Sequence, residues 1–104
     1  MTGTMTERPQ LRESVLVPIT SFAPEPYSVL KEIRVVIQTD DDEFSATFFD
    51  ANANAAGCNR VEALENLKDV LLSRFEYLSE QAPEKLAPPL AKQIAVLRQF
   101  IARR

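Results

Sequence analysis

The stretch Ile33-Arg34-Val35-Val36-Ile37-Gln38-Thr39-Asp40-Asp41-Asp42-Glu43-Phe44-Ser45-Ala46-Thr47-Phe48 decides the fold. Ile33, Val35 and Ile37 alternate with Arg34, Val36 and Gln38, so residues 32–39 predict a strand with one apolar face. Phe44, Ala46 and Phe48 resume the same period, and residues 44–50 predict a second strand. The acidic run Asp40-Asp41-Asp42-Glu43 between them reads as a four-residue loop, making the pair a hairpin.

Working outward, Asn52-Ala53-Asn54-Ala55-Ala56 alternates again and predicts a short third strand, although asparagine and alanine are weak strand formers. Gly57-Cys58-Asn59 then leads into a helix over about residues 60–79. Asn59 stands at the N-cap, with Glu62 at the spacing of a capping box. Val61, Leu64, Leu67, Leu71, Phe75 and Leu78 fall on one stripe at 100° per residue, the face of a helix packed on a sheet. Upstream, Val15, Val17 and Ile19 share one face of a further strand over residues 14–20. Pro18 cannot donate to a ladder and confines that strand to an edge. Pro24 and Pro26 make the next segment a stiff connector. Residues 81–89 hold Pro83, Pro88 and Pro89 and read as a linker. Residues 90–103 predict a second helix with Leu90, Ile94, Leu97 and Ile101 on one stripe, broadened by Val96 and Phe100. The expected architecture is α+β: a small antiparallel sheet of three to four strands, a long helix packed across it, and a second C-terminal helix. Residues 11–104 form one domain, preceded by a disordered lead over residues 1–10.

At 104 residues the chain suffices for one domain, able to bury roughly two thirds of the surface its unfolded form exposes. No apolar run approaches the roughly 20 residues of a membrane helix, and residues 1–10 lack the apolar region of a secretory signal. With Cys58 the single cysteine, a reducing cytoplasm is the expected compartment. The chain has no histidine, which excludes Ser-His and Cys-His nucleophile pairs and removes the commonest metal ligand. Carboxylate chemistry needs acids clustered on central strands, and only Asp50 stands near a strand end. The expectation is a protein that is not an enzyme and takes no cofactor and no metal.

Four features admit a sharper reading beside an ordinary one. The acidic run is a solvated turn, or a cation site lacking the alternating ligands and glycine of a calcium loop. Cys58, just before a helix N-terminus, is an inert thiol or one activated by the helix dipole. Net charge is -3, yet residues 85–104 hold five basic and no acidic residues, so the other 84 carry -8. Within that basic end, Lys92, Arg98, Arg103 and Arg104 either complement a helix C-terminus or contact phosphates. The acidic body makes general nucleic-acid affinity an unfavoured expectation. The wide apolar face formed by Leu90, Ile94, Leu97, Phe100 and Ile101 is either core or a surface for a partner or self-association. An open sheet edge is a second route to a homo-oligomer.

From Ile33 to Leu78 the order of the pieces resembles the N-terminal domain of HicB-family antitoxins. The resemblance rests on Asp40-Asp41-Asp42-Glu43-Phe44, Ala46-Thr47-Phe48, Gly57 to Asn59, and Glu62-Ala63-Leu64-Glu65-Asn66-Leu67, and covers just under half of the chain. It implies a small sheet with the helix laid across it. It also implies a partner of the family's kind: a small ribonuclease toxin, HicA, whose active site the bound antitoxin blocks. Family members carry a fourth strand and often a DNA-reading element after the helix. Here one helix follows the linker, too little for a helix-turn-helix or a ribbon-helix-helix. The upstream strand is then expected to fill the vacant sheet position. A self-associating structural or regulatory module, and an RNA-binding module using the basic end, stay open beside the antitoxin-like reading.

Overall fold

The computed structural model describes residues 12–104; the expected lead over residues 1–10 lies outside them. The described chain is an α+β fold. Its main sheet has four antiparallel strands in the order β1-β3-β4-β5: β1 (Arg12–Ile19), β3 (Ile33–Asp40), β4 (Glu43–Phe48) and β5 (Ala53–Gly57). A second, two-stranded sheet pairs β2 (Tyr27–Val29) with β6 (Ile101–Arg103). Two helices complete it, α1 (Arg60–Ser79) and α2 (Pro88–Phe100).

The hairpin forms because both strands share one alternation. Ile33, Val35, Ile37, Ala46 and Phe48 are all buried, with Phe44 half-buried beside the turn. The turn is tighter than the four acidic residues suggest. Asp40 pairs with Glu43, leaving Asp41 and Asp42 as the connection, with Asp41 at φ 58. Aspartate tolerates that left-handed conformation better than most residues. β1 lies beside β3 as the edge strand, with Val15 opposite Ile37, Val17 opposite Val35 and Ile19 opposite Ile33. The expected third strand is present as β5, paired with β4 from Phe44–Gly57 to Phe48–Ala53.

α1 starts as the cap predicts. Asn59 Oδ1 accepts from the Glu62 N–H at 2.8 Å, while a Glu62 carboxylate oxygen accepts from the Cys58 N–H at 2.6 Å. The helix packs chiefly on β5 and β4. Ala63, Leu67, Leu71, Phe75 and Leu78 are its buried face. Val61, expected on that face, is 71% exposed. The helix start crowds β5: a Cβ on Gly57 would lie 2.5 Å from the Ala63 backbone nitrogen. Small Ala63 therefore faces the sheet, and Val61, two residues and about 200° away, faces outward.

The C-terminal region departs from the expected helix over residues 90–103. α2 ends at Phe100, and Ile101 turns extended at φ -129, ψ 136. Ile101 then pairs with Val29 at the start of β6, and Leu30 donates a 2.7 Å backbone hydrogen bond to Phe100. Phe22 of the connector and Tyr27 of β2 are buried in the same core. Phe48 meets Phe100 edge-to-face at 5.0 Å, and Tyr27 meets Phe75 similarly at 6.0 Å. These contacts seal the two sheets and both helices around one hydrophobic cluster.

Candidate partner-binding cleft

The wide apolar face of α2 is mostly core. Ile94, Leu97, Phe100 and Ile101 are buried, so they offer no free surface in this fold, and the expectation of a docking stripe built on them is corrected. A small body needs its second helix to close the core over Phe48 and Leu78. Leu90 alone of the five stays substantially exposed, at 38%, and it lines a cleft.

That cleft, about 440 Å³, lies where three elements meet. Its floor is a 3₁₀ turn, Phe49–Ala51, between β4 and β5. One wall is Arg74 of α1; the other is the first three turns of α2, with Pro89, Leu90, Lys92, Gln93 and Val96. Strand alternation builds the floor. Phe48 points into the core, so Phe49 must point out, and it is 66% exposed. The chain reverses at Asn52, in the left-handed region at φ 54, and Asn52 donates its N–H to the Phe49 carbonyl at 3.1 Å. Asparagine is among the few non-glycine residues that accept this conformation. Ala51 and Ala53 on either side are buried, so the turn is anchored at both ends.

Gln93 fixes the walls to the floor. Its Nε2 donates to the Ala51 carbonyl at 2.7 Å, and its Oε1 accepts from Arg74 Nη1 at 3.0 Å. The start of α2 offers no free donor to an anion. Pro88 and Pro89 have no N–H, and the Leu90 and Ala91 N–H groups both bond to the Ala87 carbonyl. What the cleft presents is an exposed aromatic ring, aliphatic Leu90 and Val96, an Arg and a Lys, and the polar groups of Asp50 and Asn52. Aromatic residues and arginine are the side chains enriched at protein interfaces and their energetic centres.

The structure does not bring the four expected phosphate-contact residues together. Lys92 lines this cleft, while Arg98 lines a separate groove with Leu78, Gln81 and Leu86. Arg103 pairs with Glu76 at 3.7 Å and covers the Tyr27 ring, and Glu76 also accepts from the Tyr27 hydroxyl. Arg104 Nε bonds Ser28 Oγ at 3.3 Å. These contacts tie the chain end to β2.

Cys58 departs from the activated-thiol reading. The hydrogen bond and the negative charge of Glu62 push its pKa up, the opposite direction from activation. Around the acidic turn, and elsewhere among the described residues, no three His, Cys, Asp or Glu side chains are grouped to hold a metal ion. Among the described residues no helix is long and apolar enough to cross a membrane.

Sequence reasoning missed Phe49, Asn52, Arg74 and Gln93. The doublet Phe48-Phe49 was a readable signal, because strand alternation cannot bury both rings. No protein-family model, curated protein or solved structure matches the chain.

Proposed function

We propose that this protein is a non-catalytic, cytoplasmic protein-binding module of HicB-antitoxin type, and that the cleft around Phe49 is where its partner docks. The observation that carries the reading is the Phe49 ring, exposed on a turn whose neighbours are locked in the core. An exposed aromatic on a rigid support loses little conformational freedom on binding, which is what a binding anchor needs. The hairpin, third strand and helix stand in the order the HicB resemblance implies, which supports a partner of that family's kind: a small ribonuclease toxin. A net charge of -8 on residues 1–84 would steer a basic partner toward the body at long range. The cleft then supplies short-range grip.

The test is co-purification of the tagged protein from its native cells, followed by growth rescue. Recovery of a small basic protein in near-equal amount, toxic alone and harmless when co-expressed, supports the reading. Recovery of this chain alone would move the function to a self-associating module without a toxin.

A further inference from the structure

We propose that two copies of this chain pair antiparallel through the outer edge of β1, with Leu16 opposite Leu16 of the second copy.

The main sheet has two edges, β1 and β5. They are not equivalent. α1 packs along β5, and Asn66 Nδ2 donates to the Ala56 carbonyl at 2.8 Å, using a backbone acceptor of that edge strand. β1 is bonded in register to β3 on one side over eight residues. Among the described residues no strand pairs with its other side, and an uncovered strand edge is a template for a further strand.

The sequence of β1 is self-complementary about Leu16. Pairing centred there sets Val15 against Val17 of the second copy, and Val17 against its Val15, all on the helix-covered face. Val15 and Val17 are only half-buried in the single chain. On the opposite face Leu16 is 60% exposed. It heads a cross-strand row running to Val36, Thr47 and Asn54. The twofold would join this row to its copy across a Leu16–Leu16 contact, making one eight-stranded sheet with all helices on one face. The interface is isologous, so it closes at two subunits.

The same geometry sets the strength. Pro18, with no N–H to give, falls opposite Ser14 and ends the ladder, so about five residues pair over roughly 17 Å. Such a strip covers well under the roughly 800 Å² per partner of a standard stable interface. The dimer is therefore weak and concentration-dependent. It leaves the Phe49 cleft open, so it stands or falls independently of the partner reading.

Sedimentation velocity of the full chain, from micromolar to the highest soluble concentration, tests it. The expected result is a monomer–dimer equilibrium. Leu16→Lys should keep the wild-type circular dichroism and raise the half-dimer concentration by about tenfold or more, because like charges would face across the twofold. In a Cys58→Ala background, Leu16→Cys should oxidise to a covalent dimer, since only a residue on the axis meets itself, whereas Ser14→Cys should not. A wild-type chain monomeric throughout, or equal cross-linking by Leu16→Cys and Ser14→Cys, would overturn the proposal.

Discussion

Gln93 on α2 and Ala51 in the turn between β4 and β5 are 42 residues apart in sequence and joined by a 2.7 Å hydrogen bond. The same amide accepts from Arg74 of α1. One side chain thus holds together the three elements that frame the cleft. Gln93→Leu keeps most of the volume and removes both bonds, leaving the Ala51 carbonyl without this donor. The expected cost is about 1–2 kcal/mol. That corresponds to a fall in Tm of about 5–10 °C for a domain of this size. An unchanged Tm in a calorimetric scan would show that the bond does not hold the cleft.

Phe49 and Phe48 are adjacent but should behave as opposites. Phe48→Ala empties a core position that is 1% exposed and in edge-to-face contact with Phe100; about 3–5 kcal/mol should be lost. Phe49→Ala removes a ring that is 66% exposed, and stability should stay within about 0.5 kcal/mol. Urea titration of the two variants checks the contrast. Equal losses would mean that Phe49 is a packing residue after all.

Gly57 is required by space and not by backbone conformation. Gly57→Ala places a methyl 2.5 Å from the Ala63 nitrogen and 2.9 Å from the Glu62 carbonyl carbon, so the start of α1 must shift off β5. Overpacking of this kind costs about 1–3 kcal/mol. Faster hydrogen exchange at the first turn of α1 should accompany it; an unperturbed helix start would show that β5 and α1 have slack.

Glu62 raises the pKa of the Cys58 thiol, through hydrogen bonding first and charge second. The carboxylate disfavours the thiolate, so Glu62→Gln should lower the Cys58 pKa. The pH profile of alkylation should then move to lower pH and the rate near pH 8 should rise. A profile identical in both proteins would leave Glu62 without influence on the thiol.

Much of the fold was legible because the signals were long. Ile33, Val35 and Ile37 at alternate positions made β3, and twenty residues with a buried stripe and a reciprocal cap made α1. β2 and β6 were not legible, since three residues carry no period. Ile101 illustrates the difficulty. Its spacing from Ile94 and Leu97 fits a helix, yet pairing with Val29 draws it into a strand, so a tertiary contact overrides the local pattern. The candidate cleft was less legible for the same reason. Phe49, Arg74 and Gln93 lie on three elements, and nothing in their local sequence says that a turn, a helix middle and a helix start converge. The α2 stripe was read correctly as apolar, but which side of it is free depends on the core it closes.

The most direct test of the partner-binding account compares capture by the wild-type protein with capture by Phe49→Ala, from native cells and at equal folded concentration. The account predicts a small protein recovered in near-equal amount with the wild type and lost with Phe49→Ala. The same protein recovered equally with both, or no partner with either, would contradict it.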